Sequence, residues 1–195
     1  MTEPTPGLQP AQNRALRECY AFTRQLAQHW RSLSSRLAPG PPAEPLAAGA
    51  ELAQELLTDL GERTARYGLF GGPAARGVGA SLAGARGVMA DRALERNQAA
   101  RLAVLDGQHV TTLLAYLGAL ARANGDEELA GWCEGWERRL SAAVDAVRRG
   151  AVAMGEDPAR AIAPADTSPL GRAGVGTATA LGRFGEWFDR RSVGR

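Results

Sequence analysis

Apolar or small residues recur near the start of the chain at alternating three- and four-residue steps: Leu16, Cys19, Thr23, Leu26, Trp30, Leu33 and Leu37. This spacing puts one side chain per helical turn on a single stripe, which is stable only when another surface covers it. It predicts a helix from about Pro10 to Leu37, roughly 40 Å long at the standard helical rise. Pro39, Pro41, Pro42 and Pro45 follow. Each fixes its own backbone and removes a donor, so together they end the helix and stiffen the connector. A second helix is expected from near Pro45, a first-turn position that suits proline. Leu52, Leu56 and Leu60 step by four, Ala53 and Leu57 widen the stripe, and Tyr67 closes it before the stop at Gly68-Leu69-Phe70-Gly71-Gly72-Pro73.

A third helix is expected over about Asp91 to Ala123, its face marked by Leu94, Leu102, Leu105, His109, Leu113, Leu117 and Leu120. Asn124-Gly125-Asp126 reads as a C-cap followed by an N-cap, which predicts a tight reversal. The fourth helix carries Leu129, Cys133, Trp136, Leu140, Val144, Val147 and Ala151 and ends at Gly155 and Pro158. Between the second and third helices lie Gly68, Gly71, Gly72, Gly77, Gly79, Gly84 and Gly87. Each glycine costs a helix up to about 1 kcal/mol relative to alanine, so this stretch reads as a long crossover. It also reads as a surface of small residues that another backbone can approach. The expected fold is all-α: a four-helix up-down bundle over residues 10–155 with this Gly-rich crossover. Residues 1–9 are expected to be disordered. Residues 156–195 form a linker and tail, with a short amphipathic helix carrying Leu181, Phe184, Trp187 and Phe188.

With 195 residues, 45% of them hydrophobic, the chain can build one sizeable core. Its 23 basic residues are all arginine. Chemistry that requires lysine, such as a Schiff base or a phosphate-binding loop ending in Gly-Lys-Ser/Thr, is therefore excluded. Two distant cysteines, Cys19 and Cys133, point to a reducing compartment. Met1–Pro10 lacks a basic region followed by an apolar one and is not expected to be a secretory signal. The longest apolar run, Leu102–Ala121, is broken by Asp106-Gly107-Gln108-His109, which argues against a membrane span. A soluble, cytoplasmic, bacterial protein is expected, the arginine-only basic set also fitting a GC-rich genome. Net charge alternates along the chain: +3 over residues 1–37, −5 over 38–62, +5 over 63–105, −4 over 106–157 and +3 over 158–195. Basic and acidic helices can thus sit side by side, which selects neighbours more than it adds energy.

Hairpin, long crossover, and second hairpin through an Asn-Gly-Asp turn is an order of elements that resembles the ferritin-like superfamily, particularly its small stress-associated bundles of the YciF type. The resemblance spans roughly residues 10–155 and rests on element lengths and order. It implies a di-metal centre of iron or manganese, with carboxylates on four helices and Glu-x-x-His motifs on two. The sequence has no Glu-x-x-His; its nearest match is Asp106-x-x-His109. Glu134 and Glu137 on the fourth helix complete the candidate metal set. Glu18 lies on the first helix and Glu51, Glu55 and Glu62 on the second, while His29 stands beside Trp30. The expectation from the residues themselves is no cofactor, with these acids solvated or paired to arginines one turn away; iron or manganese is the alternative.

Cys19, Cys133 and His109 fall on apolar seams. They read either as a metal or Cys–His nucleophile constellation or as core residues. No Gly-x-Ser-x-Gly elbow is present, and neither Gly77-x-Gly79 nor Gly174-x-Gly176 follows a predicted strand. Arg76, Arg86, Arg92 and Arg96 lie in the most basic segment, 63–101, and could neutralise phosphates. Leu181, Phe184, Trp187 and Phe188 could bind a partner protein or a second copy, if they do not dock on their own bundle. The functional expectation is a non-enzymatic helical interaction or assembly protein, stress-associated and homo-oligomeric or partner-bound through its tail. The alternatives are a metal-binding ferritin-like protein with a degenerate site and a nucleic-acid-binding protein.

Overall fold

A computed structural model describes residues 8–69 and 94–168. The tail residues Leu181, Phe184, Trp187 and Phe188, the arginines Arg76, Arg86 and Arg92, and most of the Gly-rich stretch lie outside the described residues. The described chain is all-α. Four long helices, α1 (Pro10–Leu37), α2 (Ala43–Arg66), α3 (Arg96–Ala123) and α4 (Glu127–Ala153), precede a 3-10 turn at Met154–Glu156 and the single-turn helix α5 (Pro158–Ala161).

Local chemistry accounts for the helix ends. Pro10 occupies the first turn of α1, where its missing N–H costs nothing. The Gln9 N–H donates to Gln12 Oε1 at 2.9 Å, half of a reciprocal cap. At the α3–α4 reversal Gly125 takes φ +74°, and the Asp126 carboxylate accepts the Leu129 N–H at 3.0 Å. Tyr67 OH donates to the other Asp126 oxygen at 2.8 Å, which fastens the end of α2 to the start of α4.

The packing follows from the stripes. Every seam residue of α1 from Leu16 to Leu37 is buried, as are Leu56 and Leu60 on α2 and Leu129 to Val147 on α4. Burial of each large side chain is worth about 1.5–3 kcal/mol. Four pairs of long helices pack closely: α1 with α2, α3 with α4, α1 with α3, and α2 with α4. Contacts between α1 and α3 pair rising with falling residue numbers: Gln12 with Asn124, His29 with Asp106, Leu37 with Arg96. The two helices therefore run in opposite directions. So do α2 and α4, through Glu55 with Arg139, Asp59 with Trp136, and Arg63 with Glu128.

Trp30 sits at the centre, fully buried, its indole N–H donating to the Ala103 carbonyl at 3.0 Å. Two glycines make room for its ring. A Cβ on Gly49 of α2 would come within 2.3 Å of the ring, and one on Gly107 of α3 within 2.7 Å.

Two sequence expectations need correction. Leu102 and Leu105 do not mark the core face of α3; they are 39% and 57% exposed. The core face is instead Ala99, Ala100, Ala103, Val104, Gly107, Val110, Leu113, Leu114, Leu117, Gly118 and Ala121; it is built of small residues as far as Gly107, where the Trp30 ring takes the space, and the expected Leu113 and Leu117 do lie on it. His109 is likewise exposed and belongs to no buried seam. Residues after 153 also continue onto the core, with Met154, Ala161 and Ala165 buried. The Arg96 N–H donates to the Ala163 carbonyl and the Ala165 N–H to the Leu94 carbonyl, both at 2.9 Å, so this segment binds the entrance of α3.

Candidate functional site

The proposed metal ligands do not come together. Asp106 Oδ2 lies 2.7 Å from His29 Nδ1, so its partner is a histidine on α1 rather than His109. The His109 ring stands edge-on to Phe22 of α1, centroids 4.5 Å apart and planes at 81°. Glu134 is ion-paired with Arg122 on the neighbouring helix. Glu137 is half-buried on α4. Among the described residues no group of three or more His, Cys, Asp or Glu side chains is placed to hold a metal ion. Sequence spacing missed the His29–Asp106 pair because the two residues are 77 positions apart.

Cys19 and Cys133 are both buried and free. Burial pushes each thiol up to about 12, and the neighbouring Cys19 pushes Cys133 in the same direction. A thiol held protonated is a poor nucleophile and a poor metal ligand. Both cysteines therefore act as small apolar core residues. Cys133 Cβ would lie 3.2 Å from a Cβ on Gly118, which shows how closely α3 and α4 approach.

Arg96, a candidate phosphate contact, is buried, and its guanidinium donates to the carbonyls of Arg36 and Leu37. It thereby satisfies two of the open carbonyls at the C-terminus of α1.

On the opposite side, α2 and α4 share a polar cluster. Asp59 Oδ2 accepts both the Trp132 and the Trp136 indole N–H, at 3.0 and 2.7 Å. Arg63 lies over the Trp132 ring at 5.2 Å and Arg139 over the Trp136 ring at 4.1 Å, while Arg63 also pairs with Glu128 and Arg139 with Glu55. The alternation of charge along the sequence appears here as cross-helix pairs. Every charge in the cluster already has a partner, so it fastens α2 to α4.

What is left over is the outer face of α3. Leu102, Leu105, His109, Thr112 and Tyr116 repeat the three–four spacing of a buried seam, yet all five are exposed. Tyr116 is 52% exposed, and Phe22 widens the stripe through its contact with His109. None of the five is an acid or an arginine. α3 thus carries, besides its buried face, a second stripe of uncharged residues, three of them large and hydrophobic, that stays exposed among the described residues. No family model, curated protein or solved structure matches this chain.

Proposed function

We propose that the protein is an assembly module: an up-down four-helix bundle, with residues 67–95 crossing between α2 and α3, that self-associates through the outer face of α3. The observation that carries this reading is the exposed stripe Leu102, Leu105, His109, Thr112, Tyr116. Seam spacing selects a helix as the occupant, since helices cover helices by setting one row of side chains into another. A second copy of α3 fits best. In an antiparallel arrangement Leu105 meets Tyr116, His109 meets Thr112, and Leu102 meets Ala119, each large residue opposite a smaller or complementary one. The contact is then the same patch on both copies, as closed two-fold symmetry requires. An uncharged stripe brings no like-charge repulsion to it. The tail residues Leu181, Phe184, Trp187 and Phe188 would add a second association element.

A metal-binding role for Asp106, His109, Glu134 and Glu137 is less well supported, since Asp106 is engaged by His29 and Glu134 by Arg122. A nucleic-acid role is weakened in the same way by the engagement of Arg96 with α1. Sedimentation velocity of the full chain at increasing concentration tests self-association. The wild type is expected to shift toward a dimer, and Leu105→Glu to remain a monomer with an unchanged helical circular-dichroism spectrum. A wild type that stays monomeric at several hundred micromolar contradicts the proposal.

A further inference from the structure

Among the described residues, two guanidinium groups lie within 4 Å of the Cβ position of Gly40, in the connector between α1 and α2. Arg96 is only 8% exposed, and α1 carbonyls use just two of its five N–H donors. Its Nε–H is buried without an acceptor. The charge that acts on it most is another cation: burial and the neighbouring Arg160 both hold the Arg96 guanidinium below its ordinary range. Arg160 is exposed and makes no ion pair among the described residues. The nearby Asp157 carboxylate instead accepts the Arg160 backbone N–H at 3.1 Å as the cap of α5.

The two guanidinium groups converge on one place. Arg96 Nη2 lies 3.5 Å, and Arg160 Nη2 3.9 Å, from the point where a side chain on Gly40 would begin. A Cβ there would also stand 2.7 Å from the Leu37 carbonyl oxygen, so position 40 takes a glycine where the connector passes close against the end of α1. A buried cation beside a second cation is costly unless a counter-charge is supplied. We propose that Arg96 and Arg160 bind a small tetrahedral oxyanion of the phosphate type beside Gly40. Each terminal nitrogen retains an N–H for it, and the separate oxygens of such an anion can accept from both groups at once. The ligand would tie the α1–α2 connector to α3 and to α5, three elements far apart in sequence.

Calorimetric titration of the full-length protein with inorganic phosphate, at constant ionic strength in chloride, tests this. Saturable one-site binding is expected in the wild type, weakened at least tenfold in Arg160→Gln, whose circular-dichroism spectrum should be unchanged because Arg160 is exposed. Arg160→Glu places a carboxylate beside Arg96. It is expected to raise the melting temperature in phosphate-free buffer and to abolish phosphate binding. Equal weak binding by wild type and Arg160→Gln would mean an adventitious ion only and would overturn the proposal. So would a lower melting temperature in Arg160→Glu, or acetate binding as tightly as phosphate.

Discussion

Single residues set the spacing of the helices. Trp30 occupies the space between α2 and α3 because Gly49 and Gly107 carry no side chain there. Gly49→Ala should gain up to about 1 kcal/mol of helix propensity, yet its new methyl would lie within 2.3 Å of the Trp30 ring. Overpacking of that kind costs about 1–3 kcal/mol, so net destabilisation is expected, read as a lower urea midpoint. Gly61→Ala is the control. Nothing lies within 4 Å of its Cβ position, and a gain of up to about 1 kcal/mol is expected. The opposite signs test whether these glycines are packing devices or incidental.

At the scale of the elements, helices α1, α2 and α4 were legible because their large apolar residues coincide with their buried faces. α3 is legible only in its second half, where Leu113 and Leu117 lie on the buried face; in its first half the large residues and the buried face do not coincide. Its leucines at 102 and 105 look outward, while alanines and glycines look in, since a tryptophan from α1 fills the volume they leave. Periodicity weighted by residue size cannot register a partner's bulk. The Asn124-Gly125-Asp126 turn was legible because its chemistry is local. His29–Asp106, Asp59 with its two tryptophans, and Arg96 on the α1 carbonyls were not, because each pairing depends on the register between distant helices. The cross-helix role of Asp59 gives a direct test. Asp59→Ala leaves two indole N–H groups without their acceptor, and hydrogen bonds to charged groups contribute about 1.5–3 kcal/mol each. The variant is expected to unfold at lower denaturant, with its tryptophan emission altered already in the native state.

Across the whole molecule, buried thiols and a tied tyrosine make stability depend on alkali. Cys19 and Cys133 move from 9.0 to about 12, and Tyr67 from 10.0 to about 12 through burial and its bond to Asp126. Because these folded-state values lie above the unfolded ones, the unfolded chain loses its protons first. Stability is thus fully present below pH 9 and falls as pH rises toward 12. The chain has no lysine to titrate across the same window. The urea midpoint is expected to drop steadily above pH 9, with a shallower slope in Cys133→Ala; a midpoint flat to pH 11 would contradict these assignments.

The most direct test of association through α3 is a cross-link. Mixing the single variants His109→Cys and Thr112→Cys puts one added thiol on each copy where the antiparallel contact brings position 109 of one against 112 of the other, with no second added thiol one turn away on the same helix to bridge to. Cys19 and Cys133 are too deeply buried to compete. Mild oxidation of the native mixture is expected to give a covalent dimer on a non-reducing gel, reversed by thiol and abolished by adding Leu105→Glu to both variants. A mixture that stays monomeric under those conditions, or one that cross-links equally well with Leu105→Glu, would show that this face of α3 does not meet a second copy.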